Sequence, residues 1–564
     1  MVTLKNLFQV TTSFLYINIQ KDRFFWLYGW MLGVVVLMTG VFLVSAPVFV
    51  VNILSIGVVL LGIFFLGLNL KHRPITSVLI VVSAAIVYWG FSYYFKMDRD
   101  YAAYMINAVY LIRNGTFWGE AFYFHRGMDI VNGVLTTSFL FGYSVFLAPF
   151  VVVFGQVGYY FANLSLLAIS MLSLQKVLSY LKPLKGAYWD LGLIFLFSPI
   201  VIWLFSYTYS ETLFLPVTWG AIAIFLESKK RMSWIGLLIS YIAVTVSLTI
   251  RMEAVGLMAM IGIGTNILYF RWKIGWKRYL IATMIAVLVT LGVSLLVFNI
   301  SGHYVQNQIG GVAPVADVSH TENTTSDFIE RQQLLFFSFG TYLVLIPLAW
   351  GLSRKEMFTN KQFWWVLGIS LPFVLYLYNP RITRDMLWYL RRFIPMVIPL
   401  IFVIGAYGIS LWYRRYPKIV VGMVTMYMFV QGIIVNHIVL NSHDQRGFYD
   451  RLDTFMTKTI DDTEQGTIQV ITDMSQKNEA NRIMPYWVYE NTQFEYQTIA
   501  WEDERRDGPG EEYLVSSTET SRKDLKLLGV FEDEIFTRNP HWNPRLPILS
   551  PSKTPIQLYV YTYQ

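Results

Sequence analysis

The chain contains no cysteine in its 564 residues. That absence excludes disulfides, thiolate metal sites and thiol nucleophiles. Charged residues are also scarce, at 14% of the sequence, whereas about a quarter is typical of water-soluble domains. Apolar residues make up 55% and collect in runs of roughly 18 residues or more, as they do in polytopic membrane proteins. The composition therefore predicts an α-helical integral membrane protein.

The net charge of +8 does not indicate nucleic-acid binding, because much of it lies in short loops between apolar runs. An excess of Lys and Arg in such loops marks the cytoplasmic side of a membrane. No cleavable signal peptide is expected, because the polar segment up to Arg23 is long and a full-length span follows it. We therefore expect a cytoplasmic N-terminus and a location in the plasma membrane of a prokaryote.

The apolar runs predict about thirteen full crossings. They lie near residues 26–46, 49–70, 75–95, 157–177, 188–206, 210–227, 234–251, 253–270, 279–299, 334–352, 362–379, 394–412 and 418–438. A further apolar run lies at 133–154. If it crossed the membrane, every later basic loop would lie on the outer side, against the usual distribution of Lys and Arg. We therefore predict that 133–154 lies flat or re-enters. The outer face then collects most of the acidic residues near the spans, and a chemical site is expected there.

The third span leads into an outer loop, residues 96–132, which begins with Asp98 and Asp100. An unpaired carboxylate in lipid is very costly, so both are expected at the membrane boundary. The next residues, Tyr101 to Ile112, carry apolar groups at helical spacing.

That spacing predicts an amphipathic helix lying on the membrane surface. Its polar residues Asp100, Asn107 and Arg113 are expected off the apolar face, and Gly115 is expected to end it as a C-cap.

This stretch resembles the first outer loop of the GT-C superfamily of membrane glycosyltransferases. In that loop an Asp is followed by a Tyr four residues later, and Asn-Gly or Ser-Gly closes the helix about fifteen residues after the Asp. Asp100, Tyr104 and Asn114-Gly115 match this spacing. The family's Asp is the catalytic base, so the resemblance implies that role for Asp100. The alternative is that Asp98 and Asp100 are ordinary helix N-terminal carboxylates, stabilised by the helix dipole.

Three further segments extend the resemblance over about residues 75–440. Ser198 to Gly220 is similar to the family's second outer loop, with Glu211 in its acidic position. Leu248 to Leu257 resembles a Thr-Arg-Pro-Glu turn, with Met252 in place of the Pro. Leu390 to Leu400 resembles the Arg-Tyr-x-x-Pro-x-x-Pro entry into a late span, with Phe393 in place of the Tyr. The protein O-mannosyltransferases and lipid A aminoarabinose transferases are the relatives implied.

Arg391 and Arg392 belong to a cluster of four arginines within twelve residues, balanced only by Asp385. Arg presents a fork that matches phosphate oxygens, so we expect this pair, together with Arg251, to hold the donor phosphate. The alternative is that Arg391 and Arg392 are snorkelling interface anchors. Arg251 has its own alternative, a self-neutralising turn pair with Glu253.

Glu211 is expected to orient the acceptor, or to share a divalent metal ion with Asp98 or Asp100; the alternative is a plain helix cap. The remaining expected substrate contacts are Tyr104, Glu253, His125 and Arg126. The sequence does not identify any other cofactor.

The resemblance implies an inverting glycosyltransferase, moving a hexosyl or pentosyl group from a polyprenyl-phosphate donor. The acceptor would be a hydroxyl of a glycan, lipid or protein on the outer face. The alternative is a transporter or flippase of lipid-linked glycans. Transporters of this kind often carry matching halves, and no clear internal repeat is visible in the sequence.

The predicted domains are an N-terminal cytoplasmic segment with an extra transmembrane hairpin (1–74), a catalytic transmembrane domain (75–440) and an outer α/β domain (441–564). In the last, strands are expected at 467–471, 494–499, 513–516 and 556–563, and helices at 479–489 and 521–528. No phosphate-binding glycine loop or catalytic triad is found there. The domain is expected to cover the outer face and shape the acceptor site, or to be a plain stabilising cap.

Overall fold

The computed structural model describes most of the chain. The described residues are 23–71, 73–91, 99–117, 128–131, 134–137, 139–183, 186–206, 209–309, 345–376, 395–441, 448–460, 466–472, 494–500, 511–517, 519, 524–538 and 551–563. Asp98, His125, Arg126, Arg391 and Arg392 therefore lie outside the described residues, and Asp100 is described by its backbone alone.

Helices dominate the first 441 residues. Their bounds are α1 Arg23–Leu43, α2 Val48–Leu70, α3 Pro74–Phe91, α4 Arg99–Asn114, α5 Gly142–Phe154, α6 Gly158–Tyr180, α7 Ala187–Leu196, α8 Pro199–Phe205, α9 Ser210–Arg231, α10 Trp234–Val246, α11 Ala254–Arg271, α12 Trp276–Ile309, α13 Leu345–Leu352, α14 Lys355–Thr359, α15 Lys361–Tyr376, α16 Val397–Arg415 and α17 Lys418–Asn441. Short 3₁₀ turns at Gly155–Val157 and Ser247–Thr249 adjoin α5 and α10. A small antiparallel hairpin, β1 Met128–Val131 with β2 Val134–Thr137, precedes α5.

Seven helices in the described part of the chain are long and apolar enough to cross a membrane. They are Arg23–Leu43, Val48–Leu70, Gly158–Tyr180, Ser210–Arg231, Ala254–Arg271, Trp276–Gly302 and Val397–Arg415. The structure is therefore mostly helical, with the long apolar helices of an integral membrane protein.

The helices differ in depth within the bundle. The most apolar part of α9 has a mean hydropathy of only 1.2 and is entirely buried, whereas that of α12 reaches 2.7 and is 11% buried. A helix facing lipid must be apolar, but a central helix can carry polar groups because neighbouring helices supply their partners. The α9 helix, at the centre, is accordingly the one that carries Glu211, Thr212 and Glu227.

The predicted single span at 188–206 is two helices, α7 and α8. Ser198 is the N-cap of α8 and Pro199 is its first residue. Proline has no backbone N–H and disfavours helical geometry in the residue before it, so the helix stops and restarts here.

The segment predicted to lie flat or re-enter, 133–154, contains strand β2 and the helix α5. The 13 residues of α5 extend about 20 Å at the helical rise, less than the roughly 30 Å of a hydrocarbon core. Tyr143, near its start, donates a hydrogen bond to Asn163 of α6, and Tyr159 of α6 reaches the Met105 carbonyl of α4. Re-entry of this segment stays a prediction.

The N-terminal hairpin of α1 and α2 packs directly on the rest of the bundle. Asn69 donates to the Arg23 carbonyl and closes the open end of the hairpin. Tyr28 of α1, which is buried, donates at 2.6 Å to the Val217 carbonyl of α9. Val217 directly follows Pro216 within α9. The hydrogen bond therefore anchors the hairpin on the central helix.

Beyond α17, helix α18 (Phe448–Thr459) and five strands form a mixed sheet. The strands are β3 Gly466–Thr472, β4 Phe494–Ala500, β5 Glu511–Ser516, β6 Leu525–Arg538 and β7 Pro551–Tyr563, in the order β4-β3-β5-β7-β6. The pairs β3–β4 and β3–β5 are parallel, and β7 is antiparallel to both neighbours. Phe455 of α18 packs on Phe531 of β6 at 5.4 Å between ring centroids.

The four predicted strands correspond to β3, β4, β5 and β7. The predicted helix at 521–528 is wrong, because Leu525 to Leu528 begin strand β6. Their pairing with Tyr561 to Tyr563 of β7 overrides the local helix propensity of the Lys and Leu residues. The predicted helix at 479–489 lies outside the described residues.

Candidate active site

The first piece of the candidate site is helix α4, which begins at Arg99 and ends at Asn114. Gly115 follows with φ = +65°, a conformation that favours glycine, and its N–H donates to the Leu111 carbonyl. An added Cβ there would lie 2.5 Å from the Ala46 carbonyl oxygen. The predicted helix and its glycine cap are both confirmed, and the close approach to the α1–α2 turn gives a second reason for the glycine.

Tyr104 is buried on the inner face of α4. Its ring lies 5.4 Å from that of Phe139 and 5.4 Å from that of Tyr143, between ring centroids. Asp100 precedes Tyr104 by four residues, so the two positions occupy one face of the helix. The helix therefore presents the position of Asp100 on the side of Tyr104.

Asn107 also lies on the buried side of α4, although the sequence predicted it off the apolar face. It is 1% exposed, and neither its side-chain nitrogen nor its oxygen has a hydrogen-bond partner among the described residues. That prediction is wrong. Leaving a buried amide unpaired costs about 1–3 kcal/mol, so such a group is expected to have a functional reason or an unseen partner.

The second piece is Glu211, in the first turn of α9. Its side chain is 1% exposed, and Oε1 lies 2.6 Å from Nη1 of Arg251. The preceding residue, Ser210, donates to Oε2 at 3.2 Å. The N-cap of α9 is Tyr209, without a side-chain cap bond. Glu211 is therefore held in a buried ion pair, in addition to any favourable interaction with the helix dipole.

The third piece is the turn between α10 and α11, which carries Arg251 and Glu253. Arg251 donates from Nη2 to Oε1 of Glu253 at 2.6 Å and from Nε to Oε2 at 3.1 Å, a two-pronged contact. It also donates from Nη1 to the Ser210 hydroxyl at 3.2 Å. The ion pair of Arg251 with Glu253, given above as the alternative to a phosphate-binding role, is therefore present. The same guanidinium also pairs with Glu211.

We call Glu211, Arg251 and Glu253 the acid–arginine cluster. Burial disfavours the charged guanidinium, but the carboxylates of Glu211 and Glu253 outweigh that cost and hold the pKa of Arg251 well above its ordinary value. The Tyr104 hydroxyl also interacts electrostatically with Arg251. Four of the residues expected from the sequence therefore meet at one end of the bundle, although they lie on three separate elements.

Sequence reasoning missed a group of neutral residues that supports the cluster. The Tyr143 hydroxyl donates at 2.7 Å to Asn163, whose amide in turn donates to the Phe205 carbonyl. Thr212 is a further hydrogen-bond partner of Tyr143, and Glu211 lies within electrostatic range of it. Buried Asn and Thr within apolar runs were the available signal, because such groups require partners.

Two of the expected assignments face an obstacle in this geometry. Glu211 has a guanidinium at 2.6 Å, which would repel a divalent cation, so it does not fit the role of metal ligand. No group of three or more His, Cys, Asp or Glu that could hold a metal occurs among the described residues. Arg251 is already shared between two carboxylates, so it is poorly suited to bind a phosphate as well.

The Arg391–Arg392 pair lies outside the described residues, but the chain is described again just after it. The Pro395 carbonyl accepts a hydrogen bond at 2.8 Å from the indole of Trp219, a buried residue of α9. Pro395 follows Arg392 by three residues. Helix α9, whose first turn carries Glu211, therefore also bonds the residue at which the described chain resumes after the arginine pair.

No protein-family model matches this chain, and no curated protein matches it. Similar structures are found among solved proteins. The apo structure of ArnT from Cupriavidus metallidurans has a TM-score of 0.51 and 11% identity, covering 77% of this chain and 87% of that one. The structure of the same protein bound to undecaprenyl phosphate has a TM-score of 0.51 and 10% identity, covering 76% and 86%. The arabinofuranosyltransferase AftD from Mycobacteria is also similar, with a TM-score of 0.46 and 13% identity, covering 87% and 40%.

At these identities the likeness concerns the fold. It extends over most of both chains in the comparison with ArnT. The architecture of this chain is therefore similar to that of ArnT, in agreement with the resemblance seen in the sequence motifs.

Proposed function

We propose that this protein transfers a sugar from a polyprenyl-phosphate donor to an acceptor hydroxyl on the outer face of the membrane. The observation that carries the proposal is the meeting of Tyr104, Glu211 and Arg251 at one end of a GT-C fold, on the helix that also carries Asp100. A similar fold in ArnT from Cupriavidus metallidurans has been seen with undecaprenyl phosphate bound, which supports a lipid-phosphate donor here.

In the proposed mechanism Asp100 takes the proton of the acceptor hydroxyl as the oxygen attacks the anomeric carbon. The bond from that carbon to the phosphate oxygen breaks on the opposite side, so the configuration inverts. The lipid phosphate leaves with the bonding electron pair. A positioned general base accelerates such a step by roughly 10²–10⁴-fold.

Arg391 and Arg392 are proposed to hold the leaving phosphate, because negative charge grows on it in the transition state. Arg251 is assigned a different role from the one its sequence context suggested. Since it already bridges Glu211 and Glu253, we propose that it positions Glu211 at the start of α9. Glu211 would then orient the acceptor, next to the face of α4 that carries positions 100 and 104.

The proposed catalytic unit is residues 75–440, with 441–564 as an outer domain shaping the acceptor site. Sugar transfer of either the hexosyl or the pentosyl class is compatible with this arrangement. His125 and Arg126, with Asp98, remain proposed contacts of the loop 96–132, and no step is assigned to a metal ion.

The test is an assay of the purified full-length protein in lipid nanodiscs with a panel of polyprenyl-phosphate sugars. Release of polyprenyl phosphate with formation of a glycosylated acceptor is the expected result. Movement of an intact lipid-linked glycan across a liposome membrane, without bond cleavage, would instead support a flippase and overturn the proposal.

A further inference from the structure

A cavity of about 620 Å³ lies at the end of the bundle opposite the acid–arginine cluster. Helix α9 has its first turn in the cluster and ends at Arg231, at the opposite end of the bundle. The end of α6 lies there too, because Tyr180 donates a hydrogen bond to Glu227 of α9. The chain then enters α7 at Ala187. The cavity lies between the start of α7 and the junction of α16 with α17, and is therefore separate from the candidate active site.

Asp190 of α7 lines this cavity and is 3% exposed. Its Oδ1 accepts a hydrogen bond of 3.3 Å from the Tyr413 hydroxyl, whereas Oδ2 makes no hydrogen bond of good geometry among the described residues. The Thr425 hydroxyl, which also lines the cavity, interacts with the carboxylate but donates its proton to the Val421 carbonyl. A buried carboxylate is costly unless it is paired with a cation or donors. One oxygen of Asp190 therefore lacks a strong donor, and a positively charged donor that enters the cavity beside Thr425 would supply it.

The remaining walls indicate what kind of molecule carries that donor. Lys418, the first residue of α17, lines the cavity, as do Trp189 and Tyr413. Trp189 is 44% exposed and Met426 is 55% exposed, and α17 continues outward with exposed Ile419 and Met423. The first part of α17, Lys418–Tyr427, is an apolar helix. Large apolar side chains exposed on such a helix of a membrane protein face lipid, so the cavity adjoins the bilayer at its polar boundary.

We infer that this cavity binds the head group of a phosphatidylethanolamine molecule. The primary ammonium donates to Oδ2 of Asp190, with the rings of Trp189 and Tyr413 nearby, and Lys418 takes the phosphate. The acyl chains extend along the apolar surface of α17.

The volume, within the usual 300–1,000 Å³ of small-molecule sites, accommodates a head group. An anionic lipid without an amine would be repelled by Asp190, and a choline head group has no N–H to donate. The same site therefore discriminates between lipids that share acyl chains and differ only in the head group.

The experiment is native mass spectrometry of the purified full-length protein, titrated with phosphatidylethanolamine, phosphatidylcholine and phosphatidylglycerol that carry identical acyl chains. A hydrogen bond to a charged group is among the stronger ones, so the wild type should bind phosphatidylethanolamine at least about tenfold more tightly than phosphatidylcholine. Asp190→Asn should bring the two to within about twofold. Lys418→Gln should weaken both together and keep their ratio.

Glu356→Gln is the matched control, because Glu356 is an exposed carboxylate at the same end of the bundle; it should leave the preference unchanged. Equal binding of all three lipids by the wild type would overturn the inference, as would a preference retained by Asp190→Asn. Complete displacement of the lipid by equimolar soluble phosphoethanolamine would also overturn it, in favour of a soluble ligand. Should Asp190→Asn not fold, the wild-type ratio and Lys418→Gln still decide the question.

Discussion

Nη1 of Arg251 lies 2.6 Å from Oε1 of Glu211, although the two residues are forty positions apart in the chain. The contact joins the turn between α10 and α11 to the first turn of the central helix α9. Glu211 is buried and the Arg251 side chain is only 11% exposed, and the guanidinium also contacts Glu253 at 2.6 Å. Two carboxylates thus share one buried cation at the end of the bundle where the candidate active site lies.

Because one arginine serves two carboxylates, replacing Arg251 should lower stability more than replacing Glu211. Arg251→Met leaves the buried Glu211 carboxylate without its cation and close to the half-buried Glu253, so it should destabilise the protein by about 3–5 kcal/mol, the range for a broken buried pair. Glu211→Gln should cost less, because Glu253 still neutralises Arg251. Unfolding by denaturing detergent measures both, and the double variant should show a coupling energy of more than about 0.5 kcal/mol.

The matched control is the bridge between Arg451 and Asp533, at 2.7 Å in the C-terminal domain, whose arginine is 51% exposed to solvent. Asp533→Asn should cost at most about 1 kcal/mol, because solvent reaches the guanidinium and screens this pair. If Arg251→Met were no more harmful than Asp533→Asn, the acid–arginine cluster would not be a structural unit.

The next prediction concerns the proposed general base. Asp100→Asn keeps the shape of the side chain and removes its ability to take a proton, so turnover should fall by roughly 10²–10⁴-fold while donor binding stays near that of the wild type. Asp98→Asn, its natural control, should have a smaller effect. Radiolabelled sugar transfer measures turnover, and native mass spectrometry measures donor binding. A dead Asp98→Asn beside an active Asp100→Asn would show that the other carboxylate is the base.

A separate prediction tests the arginine pair. The double variant Arg391→Ala with Arg392→Ala should weaken use of the lipid-phosphate donor far more than it lowers stability. Replacement of both by Lys should restore only part of the activity, because an ammonium retains the charge and loses the two-pronged geometry. Donor titration of initial rates measures the effect. Unchanged donor kinetics would show that this arginine pair does not bind the donor phosphate. Arg251 is not a good alternative phosphate ligand, because its guanidinium is already paired with two carboxylates.

Asn107 gives a prediction of opposite sign to that for another buried asparagine. Asn107→Leu removes an amide that has no hydrogen-bond partner among the described residues, so stability should rise by about 1 kcal/mol. Asn163→Leu removes an amide bonded to Tyr143 and to the Phe205 carbonyl, so stability should fall by about 1–3 kcal/mol. A loss of sugar transfer in the more stable Asn107→Leu variant would identify Asn107 as a substrate contact. A loss of stability in both variants would contradict the burial argument.

Orientation can be tested because the sequence has no cysteine. Lys230→Cys, at the exposed end of α9, should be protected from an impermeant maleimide in intact cells, and Lys458→Cys, exposed on α18, should be labelled. Ser228 is unsuitable as the inner reporter because it is buried and bonded to the Ile224 carbonyl. The reverse labelling pattern would place the candidate site on the cytoplasmic face and refute the proposed topology.

Much of this architecture could be predicted from the sequence because its signals are local. Long apolar runs must become helices in lipid, since every backbone polar group there needs an internal partner. The spacing from Asp100 through Tyr104 to Gly115 likewise predicts one helix with a glycine cap, and both are observed. The order of the motifs was sufficient to identify the GT-C resemblance.

What only the tertiary structure decided was which polar groups meet. The role of Arg251 depends on its contact with Glu211, forty residues earlier in the chain. No local sequence pattern reveals that the two side chains meet. The same holds for Asn107, which helical periodicity placed off the apolar face, and for residues 525–528, which pair in a sheet instead of forming a helix. Burial, ion pairing and strand pairing depend on what packs against a residue, and packing partners come from distant parts of the chain.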